Sequence, residues 1–243
     1  MTDPFAHHPE LRDRIVDPET SAFRDFSIAK LETIARENGL PLNWWWSDAE
    51  REARRAGALA GRADGDLWVF AYGSLMWDPA FHFAEVRRAH APEHARRFII
   101  RDIYGGRGTE DRPGLMAALD DGAGCDGLAF RIEAAHVEHE TARIWTREQI
   151  GPAYLSRFVE VTLSDGPRTA LTFVADHAAT LIDAGMSRSD QIRFAATGEG
   201  FLGASLDYLP NLAGHFEALG IEDADVTDLL AAAEDFALER IDG

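Results

Sequence analysis

One glutamate, Glu148, has the sequence surroundings of a general acid or base. It lies in the last turn of a helix predicted over residues 135–149, at the end of one mainly apolar stripe. The stripe comprises Val137, Thr141, Ile144 and Glu148, at steps of four, three and four. Burial and the negative end of the helix dipole both favour a neutral carboxyl, so both would raise the pKa of Glu148 toward neutrality, where a general base works. The alternatives are an ion pair with Arg147 or another arginine, and a shorter helix that leaves Glu148 in water.

The loop Tyr72-Gly73-Ser74-Leu75 has the residue types of a small anion-binding nest. It closes the apolar run 67–72, which predicts a strand covered on both faces. Glycine lets a ligand approach the backbone closely, successive N–H groups can point at one anion, and serine adds a hydroxyl. Ser74 could instead be a nucleophile, although the G-x-S-x-G elbow that presents such a serine is missing.

Three other patterns suggest chemistry but fit a structural role better. His136, His139 and Glu140 lie on one predicted helix, but their order matches no zinc-protease motif, and we interpret them as a solvated face. Residues 198–203 form a G-x-G-x-x-G pattern, but a predicted helix precedes it, so we expect a helix-to-helix loop and no dinucleotide site. Cys125 is interpreted as a small core residue. The sequence therefore predicts no metal site and no cofactor.

The elements that must position these groups form an α+β pattern, with strands first and helices last. Strands are predicted at 67–72, 83–89, 97–102, 115–119, 127–132, 158–163 and 168–175. Further helices are predicted at 188–195, 207–219 and 225–240. The helix at 135–149 separates the strands, and the last two strands form a hairpin around Asp165-Gly166-Pro167. This order favours a small mixed barrel or curved sheet with helices packed against it.

Residues 1–65 differ from the rest and predict a helical N-terminal extension before a domain at 66–243. Its helices are predicted at 22–38 and 48–60. Ser47 and Glu50 have the spacing of a capping box at the start of the second helix. Three consecutive tryptophans, 44–46, stand between the two helices. We expect these indoles to pin the helices to the main body, and a ligand platform is the alternative.

The composition argues against several classes of protein. Of the 243 residues 46% are hydrophobic, as in a globular protein, and the formal net charge of −18 opposes binding to nucleic acid or anionic lipid. No apolar run reaches the roughly 18 residues of a membrane-spanning helix. The first residues do not resemble a secretory signal, and Cys125 is the only cysteine, so we expect a cytoplasmic protein with no nucleic acid or membrane partner. A cluster of arginines is either an anion pocket or a set of surface ion pairs: Arg96, Arg97, Arg101 and Arg107.

Several short blocks, taken together and in order, resemble the ChaC-type glutathione-specific γ-glutamylcyclotransferases. The blocks are 68–77 (WVFAYGSLMW), 97–98 (RF), 107–109 (RGT), 112–114 (RPG), 127–131 (GLAFR), 145–148 (WTRE), Tyr154, 200–203 (GFLG) and 207–209 (DYL). They run from about Asp66 to about Phe236. Each block is common by itself, and their number and order make the resemblance specific.

The resemblance implies a γ-glutamylcyclotransferase-like small mixed β-barrel flanked by helices, and an enzyme of the lyase type. Its substrate would be glutathione, which carries its own nucleophile, the α-amine of the γ-glutamyl group. Cyclisation would give 5-oxoproline and Cys-Gly with Glu148 as general base and acid, without a metal or cofactor. The residues implied to bind the substrate are Tyr72, Gly73, Ser74, Leu75, Arg107, Tyr154 and Tyr208.

Two other functions stay open at this point. One is a cyclotransferase of the same fold that acts on other γ-glutamyl amines or γ-glutamyl amino acids, because the sequence does not reveal the pocket for the leaving part. The other is a non-catalytic regulatory or binding protein of the same fold. Glu148 argues against the second, because a buried carboxylate must be desolvated and a binding module gains nothing from it. The apolar residues of 1–65 also leave a homodimer contact possible.

Overall fold

Strands dominate the middle of the chain and helices its two ends in the computed structural model, which describes residues 3–62 and 65–240. The main sheet contains β1 Leu67–Ala71, β2 Glu85–Ala91, β3 His94–Tyr104, β4 Thr109–Asp121, β5 Cys125–Ile132, β6 Tyr154–Leu163 and β7 Gly166–Ala175. The helices of this part of the chain are α1 Ile28–Glu37, α2 Asp48–Leu59, α3 Val137–Glu148, α4 Arg188–Thr197, α5 Tyr208–Leu219 and α6 Ala224–Glu239. A ribbon of β8 Glu199–Gly200 and β9 Gly203–Ala204 joins α4 to α5.

Five strands of the main sheet close into a barrel. The pairing runs β1–β5–β2–β6–β7 and returns from β7 to β1. The contact between β1 and β7 is parallel, with Trp68 opposite Ala170, and the other pairs in the ring are antiparallel. The long β3–β4 ribbon continues from β7. The prediction of a small mixed β-barrel with helices is therefore confirmed.

The strand β1 is covered on both faces, as its continuous apolar run predicts. Val69 and Ala71 point into the largest apolar cluster of the protein, whereas Phe70 points into a second cluster on the opposite face. All three are fully buried. Because successive side chains of a strand alternate between faces, only a strand with apolar contacts on both sides can bury three in succession. The loop that follows β1 is thus fixed at the core.

Local sequence signals determine where the helices and strands begin. The capping box is confirmed: Ser47 Oγ accepts from Glu50 N at 3.2 Å, and Glu50 Oε2 accepts from Ser47 N at 2.8 Å. The helix predicted at 22–38 begins later, at Ile28, because Ser27 acts as its N-cap. The strand predicted at 115–119 is longer, since backbone pairing with β3 continues to Thr109 without apolar side chains. Within the described ranges, no helix combines the length and the hydropathy needed to cross a membrane.

The segment before β1 packs tightly on the barrel and its helices. Leu11 is fully buried in the main apolar cluster, and Leu31 is 1% exposed. Backbone hydrogen bonds join the segment to the body at separate points: Val16 N to Trp77 O at 2.8 Å, Val86 N to Pro4 O at 3.0 Å and Trp46 N to Ile150 O at 2.8 Å. These contacts span the segment, so the described part of it is an integral layer of the structure.

Leu11→Ala should destabilise the whole protein, because it removes a fully buried side chain at the junction of segment and body. We expect a loss of about 2–5 kcal/mol in the free energy of unfolding, measured by chemical denaturation. Leu42→Ala is the matched control in the same segment, since Leu42 is 37% exposed, and surface changes stay within about 0.5 kcal/mol. Equal small losses for both variants would mean that the segment is not coupled to the core.

Candidate active site

Seven of the eight predicted site residues line one cavity at the end of β1. They are Tyr72, Gly73, Ser74, Leu75, Glu148, Tyr154 and Tyr208. This inner cavity encloses about 370 Å³, part of it open to solvent. A larger outer cavity of about 800 Å³, also partly open, adjoins it and shares Ser74, Met116, Glu148 and Tyr154 with it. Glu148 therefore lies where the two cavities meet.

The loop after β1 presents unused backbone donors to the inner cavity. Ser74–Met76 forms a single 3₁₀ turn, in which Met76 N donates to Gly73 O at 2.8 Å. The N–H groups of Gly73, Ser74 and Leu75 find no acceptor within residues 3–62 and 65–240. A Cβ at position 73 would lie 2.6 Å from the hydroxyl of Tyr208, so the close approach of these groups requires glycine. The arrangement suits a small anion such as a carboxylate.

Glu148 is the last residue of α3, and the stripe that leads to it is buried. Val137, Thr141 and Ile144 are at most 4% exposed, which confirms the predicted stripe, and the Glu148 side chain is 13% exposed. Removal from water raises the pKa of the Glu148 carboxyl above its ordinary value, and the nearby Arg147 guanidinium opposes this rise. The carboxyl can therefore take up and release a proton closer to neutral pH than a solvated glutamate.

Arg147 connects Glu148 to the loop after β1, and the sequence indicated it only as an ion-pair partner. Its Nε lies 3.2 Å from Glu148 Oε1, and its Nη2 donates to Ser74 Oγ at 2.9 Å. Nη1 lies 3.7 Å from Asp78 Oδ1, and the guanidinium carbon lies 4.4 Å from the ring centre of Phe23. With a side chain only 4% exposed, Arg147 is a buried cation that holds three parts of the site together.

Three tyrosines surround the inner cavity: Tyr72 and Tyr208 are buried, and Tyr154 is partly buried. Burial raises the pKa of Tyr72 and Tyr154 well above the ordinary value and that of Tyr208 to about 12, so all three keep their protons at neutral pH. The Tyr72 hydroxyl donates to Phe173 O at 2.8 Å. Tyr208 is the first residue of α5, and Pro210 fits the first turn, where its missing N–H is not needed.

Arg107, the eighth predicted residue, lies behind Tyr208 and outside the lining of the inner cavity. Its guanidinium carbon is 5.6 Å from the Tyr208 ring centre, and Nη1 donates to Ala204 O at 2.8 Å. Burial lowers its pKa, and the Tyr208 hydroxyl, Asp207 and Asp102 oppose that effect. Arg96 pairs with Asp223, whereas Arg97 lies 3.7 Å from Asp120 with half its side chain exposed, so these arginines have separate partners and do not form one anion pocket.

The glycine-rich connection between α4 and α5 packs on the loop after β3. The predicted helix-to-helix context is correct, and the connection also contains the β8–β9 ribbon. A Cβ at Gly200 would lie 2.1 Å from Gly105 O, so glycine is required for this contact. Phe201 N and Leu202 N donate to Gly105 O and Gly106 O, each at 2.8 Å. The connection thus supplies Phe201 and Leu202 to the wall of the outer cavity.

The residues weighed as metal ligands, at and just before the start of α3, have other roles. His136 and His139 are exposed, as interpreted, but Glu140 is 3% exposed, so the interpretation of a solvated face is wrong for Glu140. Its carboxylate accepts from Arg24 Nη1 at 2.9 Å and from His82 N at 3.0 Å, which joins the N-terminal segment to α3. Within the described residues, no group of three or more His, Cys, Asp or Glu is placed to hold a metal ion.

Comparisons with known proteins agree on one family. A family model described as ChaC-like protein matches residues 67–235. A glutathione-specific gamma-glutamylcyclotransferase of Escherichia coli (strain K12) is 34% identical over 197 residues, which cover 80% of this chain and 85% of that protein. Glutathione-specific gamma-glutamylcyclotransferase 1 of Homo sapiens is 31% identical over 173 residues, which cover 68% of this chain and 77% of the human protein.

A solved structure shares the fold. The crystal structure of a selenomethionine-labelled γ-glutamyl cyclotransferase specific to glutathione from yeast matches with a TM-score of 0.64 at 20% identity. The match covers 71% of this chain and 97% of the yeast chain. It supports the predicted γ-glutamylcyclotransferase-like barrel.

The raised pKa of Glu148 predicts a pH-dependent stability difference between the wild type and Glu148→Gln. A carboxyl whose pKa is higher in the folded than in the unfolded state stabilises the fold below the unfolded pKa, and this contribution is lost as the pH rises. Glu148→Gln should therefore be at least as stable as the wild type at pH 7, with a difference that shrinks toward pH 4. Thermal unfolding across this range measures it, with Glu110→Gln at an exposed position as the control. A large loss of stability at pH 7 would show that the carboxylate is needed for the Arg147 ion pair.

Proposed function

Because the chain belongs to the family of ChaC-like proteins, we propose that it cleaves glutathione into 5-oxoproline and Cys-Gly, with Glu148 as general base and acid. The Escherichia coli and human relatives are named for a glutathione-specific activity of this kind. The observation that carries the proposal in this chain is the position of Glu148, whose raised pKa occurs at the junction of the inner and outer cavities.

The inner cavity is suited to the γ-glutamyl group. The free N–H groups of Gly73, Ser74 and Leu75 can bind its α-carboxylate, with no charge to be desolvated on the protein side. The α-amine of the substrate then faces Glu148, which lines the same cavity. Arg107 and Arg147 lie close to the cavity and offset, at this position, the formal net charge of −18 that would otherwise repel an anionic substrate.

The reaction needs proton transfers at two nitrogens. The Glu148 carboxylate takes a proton from the substrate ammonium, and the resulting amine attacks the γ-carbonyl carbon to form the five-membered ring. The bond from the γ-carbon to the cysteinyl nitrogen breaks as this nitrogen takes the proton from Glu148 and leaves as an amine. The Glu148 carboxylate is then free to accept the second proton, which the ring nitrogen loses as the lactam forms, and passes it to the amine of Cys-Gly, which departs as an ammonium. Because nucleophile and carbonyl belong to one molecule, binding the substrate in a folded shape supplies much of the rate enhancement.

The surroundings of Glu148 adjust the pKa of its carboxyl for both of its roles, as proton acceptor and as proton donor. Burial raises the pKa of its carboxyl, and Arg147 limits the rise, so that the anionic form needed to accept the first proton is still available near neutral pH. The hydroxyl of Tyr208, with a pKa of about 12, stays protonated and can donate to the oxygen of the γ-carbonyl as negative charge develops there. No step uses Ser74 as a nucleophile, because the substrate supplies its own amine, and the Ser74 hydroxyl accepts from Arg147.

Other parts of the sequence analysis stay predictions. The cytoplasmic location, the absence of nucleic acid partners and the possible homodimer belong to this group. Use of reduced glutathione as a substrate agrees with a reducing compartment.

The test of the proposed function is a panel of γ-glutamyl compounds assayed for 5-oxoproline. Purified protein should convert reduced glutathione to 5-oxoproline and Cys-Gly without added metal, and EDTA should not inhibit. Activity with γ-Glu-Ala or γ-Glu-ε-Lys and none with glutathione would reassign the chain to an enzyme for other γ-glutamyl amines. No 5-oxoproline from any of them would favour a binding protein.

Glu148→Gln should fold and bind glutathione but turn it over far more slowly. General acid and base groups contribute about 10²–10⁴-fold, so kcat should fall at least by this range. In the wild type, kcat should decrease on the acid side with an apparent pKa above about 4.3, the value for a free glutamate. The matched controls are Glu110→Gln and Glu199→Gln, two exposed carboxylates outside both cavities. A folded Glu148→Gln variant with more than about a tenth of the wild-type turnover would contradict the assignment.

A further inference from the structure

The outer cavity has one wall that comes from the segment before β1. Phe23, Leu31 and Trp44 face, across the cavity, residues of α3 and of the loops after β3 and α4. We infer that this wall selects the group that leaves from the γ-carbonyl, with Trp44 as the main specificity residue. The inference rests on the proposed function, and it gives the N-terminal segment a part in substrate choice.

The position of Glu148 determines which cavity holds the leaving part. The donors of the loop after β1 bind the α-carboxylate at one end of the inner cavity. Glu148 must reach the nitrogen that departs, so the substrate beyond this nitrogen continues on the far side of Glu148. The outer cavity adjoins this point, since it shares Ser74, Met116, Glu148 and Tyr154 with the inner one. The walls that it does not share, those from the N-terminal segment among them, therefore contact the leaving part.

The wall is held in place by contacts that do not depend on a ligand. The Trp44 indole stacks on Tyr104 at 4.6 Å between ring centres and 18° between planes. It also lies against Gly151, where a Cβ would be 2.6 Å from the indole. Trp46 N donates to Ile150 O at 2.8 Å, which fixes the backbone of the segment at this point. A rigid wall of this kind can discriminate between leaving parts by shape.

Two residues that line the outer cavity carry a buried N–H donor without a hydrogen-bond acceptor within the described residues: Trp44 at Nε1 and Arg147 at Nη1. Arg147 Nη1 lies 3.7 Å from its ion-pair partner Asp78 Oδ1, so Trp44 Nε1 is the donor left for a ligand. A buried donor without an acceptor costs free energy, so a ligand atom that reaches Nε1 is bound favourably. The Asp102 carboxylate also lies at this cavity, but its oxygens already accept from the backbone N–H groups of Tyr104 and Arg107.

These donors indicate the chemical class of the leaving part. An indole N–H and a guanidinium both suit a carboxylate, and the apolar surface of Phe23 and Leu31 suits a small uncharged side chain. A short peptide with a free carboxylate, such as Cys-Gly, has both features. An alkyl amine lacks the carboxylate. A lysine joined through Nε has a carboxylate, but its free α-ammonium adds a positive charge near Arg147.

Steady-state release of 5-oxoproline from two substrates tests this inference. Glutathione carries the leaving carboxylate, and γ-glutamyl-ethylamide lacks it. Trp44→Ala should lower kcat/KM for glutathione by about tenfold or more, as expected for the loss of a hydrogen bond to a charged group. It should change kcat/KM for γ-glutamyl-ethylamide by less than about threefold, because this substrate barely reaches the wall.

Two further variants separate specificity from folding. Trp46→Ala is the matched control, because Trp46 lies under Arg54 at 3.9 Å and does not line the cavity, and it should leave both substrates unaffected. Trp44→Phe keeps an aromatic ring on Tyr104 and removes the N–H donor. It should still reduce kcat/KM for glutathione relative to that for the ethylamide, even if Trp44→Ala does not fold.

Direct binding of the two products makes the test independent of turnover. Calorimetry should show weaker binding of Cys-Gly to Trp44→Phe than to Trp46→Ala, with equal binding of 5-oxoproline. Equal losses for both substrates, or unchanged Cys-Gly binding, would overturn the inference while leaving the proposed function intact. A wild type that binds Cys-Gly through Trp44 but releases no 5-oxoproline would instead overturn the proposed function.

Discussion

The arrangement of the site depends on the contacts of one buried group, the guanidinium of Arg147. It lies beside the carboxylate of Glu148, donates to the hydroxyl of Ser74 and packs on the ring of Phe23. A guanidinium removed from water needs such partners, because an unpaired buried charge costs several kcal/mol. The same contacts align the end of α3, the loop after β1 and the N-terminal segment. The position of the proton-carrying carboxyl and the shape of both cavities are therefore set together.

The barrel fixes the positions of the elements that Arg147 connects, the loop after β1 and the end of α3. β1 is held between β5 and β7, so the loop that follows it cannot move away from the core. α3 packs on the barrel through Trp145, whose ring centre lies 5.3 Å from that of Phe173 in β7, which brings its last turn to the same end. Between them, the loop gives neutral backbone donors and the helix gives the only carboxyl group that lines both cavities within the described part of the chain. Binding and proton transfer are thus assigned to different elements.

Much of this could be predicted from the sequence, because the signals were local. The apolar run of β1, the stripe of α3 and the capping box of α2 each depend on neighbours within a few residues, and all three are confirmed. Contacts between distant parts could not be predicted in this way. Periodicity marks Glu140 and Arg147 as parts of a helix but does not reveal that Arg24 and Phe23 meet them.

Trp44 and Arg107 show the same limit of prediction from sequence. The indoles were expected to pin the segment to the body, and Trp44 stacks on Tyr104, yet Trp44 also lines the outer cavity. A motif resemblance placed Arg107 among the substrate-binding residues, whereas it lies behind Tyr208. Sequence blocks indicate which residues lie at one end of the fold. Whether a given residue lines the cavity or lies behind another side chain depends on packing.

The closure of the barrel also affects how the protein is made. β1 completes its pairing only when Trp68 meets Ala170, and the cavity is complete only when Tyr208 arrives from α5. On a ribosome, the segment and β1 emerge before these partners and can pair with them only after Ala170 and Tyr208 have been added. Long-range closures of this kind slow folding. During synthesis, the apolar faces of the first helices and of β1 are therefore the surfaces most in need of protection by chaperones.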